Sequence, residues 1–116
     1  MCIRDSRYFM KMKKMPSSLQ AADYSAVSNY IKAVAAAGTD DPDKVIAQLK
    51  KTKIDDFYTK GYIRQDGRAI HDMYLLQVKT PAESKKPWDY LKVVATIPGE
   101  QAFTTPAESK CSLMKK

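Results

Sequence analysis

Residues 64–79, RQDGRAIHDMYLLQVK, run from a polar turn into a strand-like apolar stretch of about ten residues. A β-strand leaves its backbone N–H and C=O groups unpaired until another strand lies beside it, so this stretch dictates what else the fold must contain. One partner is at hand. Residues 70–79 and 88–97 form two β-prone runs separated by TPAESKKP, whose Pro81 and Pro87 fit a loop and not a central strand. The pairing predicts a long-looped hairpin. Two or three strands with a pair of helices do not enclose a core by themselves, so most of the sheet is expected to lie outside this sequence.

The chain before this point reads as a helix pair. From Gln20 to Ala37, Tyr24, Val27, Ile31, Val34 and Ala35 recur at spacings of three and four, the apolar stripe of an amphipathic helix, and Gly38 supplies its C-cap. In DDPDKVIAQLKK, Asp41 is placed as N-cap, Pro42 at the first helical position and Asp43 in the first turn, with Val45, Ile46 and Leu49 on one face. After Ile54 the period changes, and Gly61 and the turn Gln65-Asp66-Gly67-Arg68 punctuate short β-prone stretches. The hexapeptide TPAESK occurs at 80–85 and again at 105–110, and both copies read as loops.

Charge excludes more than it suggests. The formal net charge is +7, but most of it sits in the two tails, and the body between them is nearly balanced. Without a recognised motif or interleaved aromatic and basic residues, nucleic acid is not an expected partner. Cys2 and Cys111 stand at opposite ends with no ligand spacing, so no metal site is expected, and Asp40, Asp41 and Asp43 read as helix-capping acids. His71 and Asp72 are strand neighbours whose side chains point to opposite faces, which leaves no base with its orienting partner. No nucleophile or phosphate-binding motif accompanies them, and neither catalysis nor a cofactor is expected. Tyr24 stands near a helix start, where N–H groups face outward to receive an anionic group; packing and ligand contact are both open for it.

The opening residues MCIRDS resemble translated sequencing-adapter read-through, and residues 1–6 are expected to be irregular and foreign to the fold. The basic, Met-rich start lacks the apolar run and cleavage site of a secretory signal.

In order, the YSAV helix, the AAGTDDPDKV helix junction, the IRQDGR turn, the HDMYLLQVK strand and the WDYLKVVATIPGEQAF close resemble the C-terminal part of an ABC-transporter substrate-binding protein. The similar group is the branched-chain amino-acid, amide and urea type, with an α/β, two-lobed type I periplasmic binding fold. The resemblance covers residues 7–116, about the last third of such a protein. It implies that two lobes are joined by hinge crossings and that RQDGRAIHDMYLLQVK is the final one, completing sheets supplied by an upstream part. It further implies a periplasmic location, a small polar solute in the cleft, a membrane permease as partner and no reaction. By the same resemblance the segment before the YSAV helix borders the cleft, which makes Gln20 and Tyr24 the ligand-contact candidates. The same fold also serves as a ligand-sensing domain of receptors and regulators.

Overall fold

A computed structural model describes residues 3–109, with side chains from Arg7 onward. Residues 1–2 and 110–116, with Cys2 and Cys111 among them, lie outside the described residues. The first element is a helix, α1 (Ile3–Met12), that the sequence analysis does not anticipate. Residues 3–6 are therefore helical and not irregular. Phe9 on this helix meets Trp88 edge-on at 5.3 Å, which ties α1 to the connection that ends at residue 90.

The helix pair forms as its caps require. Ser17 caps α2 (Ser18–Ala37), and Gly38 ends it in the left-handed region at φ 65°. Asp41 Oδ1 accepts from the Lys44 N–H at 3.0 Å, Pro42 takes the first position, and α3 runs Pro42–Lys51. What the apolar spacing does not decide is which side of α2 is covered. Ser25 and Ala33 are the buried residues of this helix, and together with Asn29 they form an i, i+4, i+8 line of small or short polar side chains. The expected apolar stripe faces away: Tyr24, Val27 and Ile31 are all more than half exposed. A 3.6-residue period says which side chains share a face, not that a neighbour within the same chain covers it.

Three short strands follow: β1 (Lys53–Asp55), β2 (Lys60–Ile63) and β3 (Ala69–His71), paired antiparallel in the order β1-β2-β3. The β2–β3 connection uses the predicted turn, with the Gly67 N–H donating to the Arg64 carbonyl at 2.8 Å and Gly67 at φ 84°. The run expected as one strand then divides. His71 pairs with Gly61 of β2, whereas Met73 already pairs with Ile97 of a different sheet. That second sheet is a ribbon of two strands, β4 (Met73–Val78) and β5 (Leu91–Ile97), with a register irregularity at Leu75/Leu76. Asp72 is the break, because its carboxylate accepts the Gly99 N–H at 3.0 Å and so belongs to the return of the chain. From β5 the chain comes back through Pro98 into a single turn, α4 (Gly99–Ala102), against β3.

The first TPAESK copy and the described part of the second, through Ser109, are loops, and they fold alike. Thr80 N–H and Oγ1 donate to Glu83 Oε2 at 2.8 and 3.0 Å, and Thr105 N–H and Oγ1 donate to Glu108 Oε2 at 3.0 and 2.7 Å. A threonine with a glutamate three residues on closes its own turn, wherever it stands. Around the first copy, Lys92–Glu83 and Lys79–Asp89 ion pairs, each 2.6 Å, hold the loop to the ribbon.

The apolar core is small. Among the described residues it consists of Ala33, Val45 and Ile70. The ribbon shows why: Leu75 and Leu76 point to opposite faces, and both are about half exposed, so neither face is covered. The accessible surface is 9295 Å², whereas a folded monomer of 13.1 kDa exposes about 6,400 Å². The radius of gyration of 17.4 Å likewise exceeds the roughly 13 Å of a compact domain this long.

Candidate functional site

The first turn of α2 is closed by a reciprocal cap. The Ser17 N–H donates to Gln20 Oε1 at 2.8 Å, and the Gln20 N–H donates to Ser17 Oγ at 3.4 Å. Because a backbone N–H needs an acceptor, the cap fixes the orientation of the Gln20 amide: its oxygen is engaged, and its NH₂ group is turned away from the cap. Tyr24 follows four residues later on the same face of the helix. The two candidates thus share one surface. One detail differs from expectation, since α2 starts at Ser18 and Tyr24 lies in its second turn, beyond the first-turn N–H groups.

Tyr24 rests edge-on against Phe57, ring centres 5.7 Å apart. Beneath that contact lies a polar cluster. The Ser25 hydroxyl donates to Asp56 Oδ2 at 2.5 Å, and the Asn29 amide donates to the same oxygen at 2.8 Å. Asp56 Oδ1 accepts the N–H groups of Tyr58 at 2.8 Å and Thr59 at 3.1 Å, which shapes the 56–59 turn. Burial pushes the Asp56 carboxyl up, but the Ser25 hydroxyl, the two N–H groups and the Asn29 amide outweigh it, and the group titrates below the ordinary carboxylate value. Sequence reasoning overlooks this cluster. Its only local trace is a serine and an asparagine four apart in an alanine-rich helix, where short polar side chains are poor choices unless they have a partner.

From Phe57 the aromatic contacts continue toward the chain crossing. Phe57, Tyr58, His71 and Phe103 follow one another at 6.5, 6.3 and 5.6 Å, and the Arg68 guanidinium sits 5.9 Å from the Phe103 ring centre. His71 Nδ1 is 2.9 Å from the Asp72 carbonyl oxygen, while the Asp72 carboxylate is held by Gly99. The two side chains do not pair, as strand alternation requires.

Three further contacts pin the returning segment. The Tyr62 hydroxyl donates to Glu100 Oε1 at 2.7 Å, and that bond raises the phenol pKa. Arg64 grips Asp66 with two hydrogen bonds of 2.9 and 2.6 Å and donates from Nη1 to the Thr104 carbonyl at 2.9 Å. The guanidinium holds Asp66 at about 2. The chain therefore leaves the three-stranded sheet at Asp72 and is fastened to it again from Gly99 to Thr104, with an uncovered ribbon between. A separate concavity of about 430 Å³ lies along β1 and β2, lined by Lys53, Ile54, Asp55, Lys60, Gly61 and Tyr62, and includes neither Gln20 nor Tyr24. Among the described residues no three His, Cys, Asp or Glu side chains converge to hold a metal ion, and no helix is long and apolar enough to cross a membrane.

Among the described residues the apolar faces of α2 and of the ribbon are left open. Comparison with known proteins supplies the family. The profile of the periplasmic binding protein family matches residues 5–86. A periplasmic binding protein from Burkholderia mallei is 74% identical, with a TM-score of 0.92 over 96% of this chain and 30% of its own. A branched-chain amino acid ABC transporter periplasmic ligand-binding protein from Burkholderia xenovorans LB400 is 50% identical, with a TM-score of 0.87 over 93% of this chain and 29% of its own. No curated protein matches. The chain thus spans about 30% of the length of these solved structures. Its profile match over most of its residues, and its superposition on these structures at high identity, make this chain a member of the periplasmic binding protein family.

Proposed function

We propose that the chain is the C-terminal part of the solute-binding component of an ABC transporter. The component works in the periplasm, closes two lobes over an amino acid or a related small polar solute, and presents the closed form to a membrane permease. It performs no reaction. Residues 7–116 belong to this receptor, and the upstream lobe supplies the sheets that would cover the ribbon and α2. The observation that carries the reading is the 50% identity, across 93% of the chain, to the Burkholderia xenovorans branched-chain amino acid ligand-binding protein.

Gln20 and Tyr24 are the proposed solute contacts. With its oxygen engaged by the cap, Gln20 has an NH₂ group to offer a solute carboxylate, and Tyr24 offers a ring for an apolar side chain. The test is a chimera in which the upstream part of the Burkholderia xenovorans protein is joined to residues 7–116, titrated calorimetrically with L-leucine. Tyr24→Ala is expected to weaken binding about tenfold, equivalent to ~1.4 kcal/mol, and Gln20→Ala about fivefold, as for loss of one hydrogen bond. Unchanged affinity in both variants would remove these residues from the site. A chimera that melts cooperatively yet binds neither L-leucine nor any of a panel of other amino acids and amides would overturn the solute assignment.

A further inference from the structure

We infer that Ser25, Asn29 and Asp56 form a clamp that positions Tyr24 toward the solute, an inference resting on the functional reading above. The connectivity is short. Ser25 follows Tyr24, Asp56 precedes Phe57, and the rings of Tyr24 and Phe57 touch edge-on at 5.7 Å. The 2.5 Å bond from Ser25 to Asp56 therefore ties together the two backbone positions adjacent to that ring pair, across 31 residues of chain.

Asp56 is a positioning residue and not a solute ligand. A carboxylate has about four acceptor positions, and here four donors occupy them: the Ser25 hydroxyl, the Asn29 amide, and the Tyr58 and Thr59 N–H groups. Ser25 is 6% exposed and unreachable by a solute. The cluster does its work inward, on the angle between α2 and the 56–59 turn. Without it, the turn that carries Phe57 is no longer tied to α2 through Asp56, and the Tyr24–Phe57 contact loses that tie.

A double-mutant cycle on the chimera, read as the dissociation constant for L-leucine, separates this from a general stabilising role. Ser25→Ala is expected to weaken binding about fivefold when Tyr24 is present and less than twofold in the Tyr24→Ala background. Asn29→Ala removes one of the two donors to the same oxygen, and it carries the same test should Ser25→Ala fold poorly. Equal losses in both backgrounds would overturn the clamp while leaving the solute site standing. If Tyr24→Ala alone has no effect, the site assignment fails, and the clamp with it.

Discussion

Expressed alone, the 116-residue chain is expected to bind the hydrophobic dye ANS strongly and to unfold over a broad, weakly cooperative range. The surface of 9295 Å² exceeds that of a folded monomer of this mass by about 2,900 Å². Large apolar side chains are among the exposed groups: Leu19, Val27 and Ile31 on α2, and Tyr74, Leu76, Val78, Leu91 and Val93 on the ribbon. Against that, the described apolar core is Ala33, Val45 and Ile70. For a complete small domain, burial only narrowly exceeds a conformational entropy of roughly 1.5 kcal/mol per ordered residue. Leaving these apolar faces in water tips that balance toward a state with helices and hairpins formed but loosely packed. ANS fluorescence together with near-UV circular dichroism through a thermal ramp reads the outcome. A sharp two-state melt with no dye binding would show a self-sufficient domain.

The second large effect is expected at the start of the crossing. Gly61 of β2 lies opposite His71 in register, and a Cβ there would overlap the Ile70 carbonyl oxygen and come within 3.2 Å of the His71 Cβ. Gly99 closes from another side, where a Cβ would stand 2.9 Å from the His71 carbonyl carbon and oxygen. The His71 backbone is thus packed between two glycines that tolerate no side chain. In the chimera, Gly61→Ala must push β2 and β3 apart, with a cost of about 1–3 kcal/mol by analogy with overpacked cores. Urea denaturation followed by circular dichroism measures it. An unchanged midpoint would mean that the sheet yields freely at this point, and that the crossing is not anchored as described.

Features decided within four residues of chain were legible in the sequence. Asp41 and Pro42 start α3, Gly38 ends α2, and Asp66-Gly67 turns the chain between β2 and β3, each through its own backbone geometry. The pairing of 73–78 with 91–97 was legible too, because two β-prone runs joined by a proline-bounded loop have few other partners. The missed features depend on groups distant in sequence. Asp72 ends β3 because Gly99, 27 residues later, donates to it. Ser25 is buried because Asp56 accepts from it. Val27 and Ile31 of the expected α2 stripe stand more than half exposed while Ser25 and Ala33 are buried, because the period of a helix does not say which of its faces a neighbour covers. Gln20 and Tyr24 came from family resemblance, and the structure adds that they share one face of α2, the first through a cap that SSLQ already spells as S-x-x-Q.

The account rests on this chain being one part of a solute receptor and not a receptor in itself. Parallel calorimetric titrations of L-leucine into the isolated chain and into the Burkholderia xenovorans chimera test that most directly. The expected result is saturable one-to-one binding by the chimera and no heat of binding from the isolated chain. Saturable binding by the isolated chain, accompanied by a cooperative melt, would contradict it.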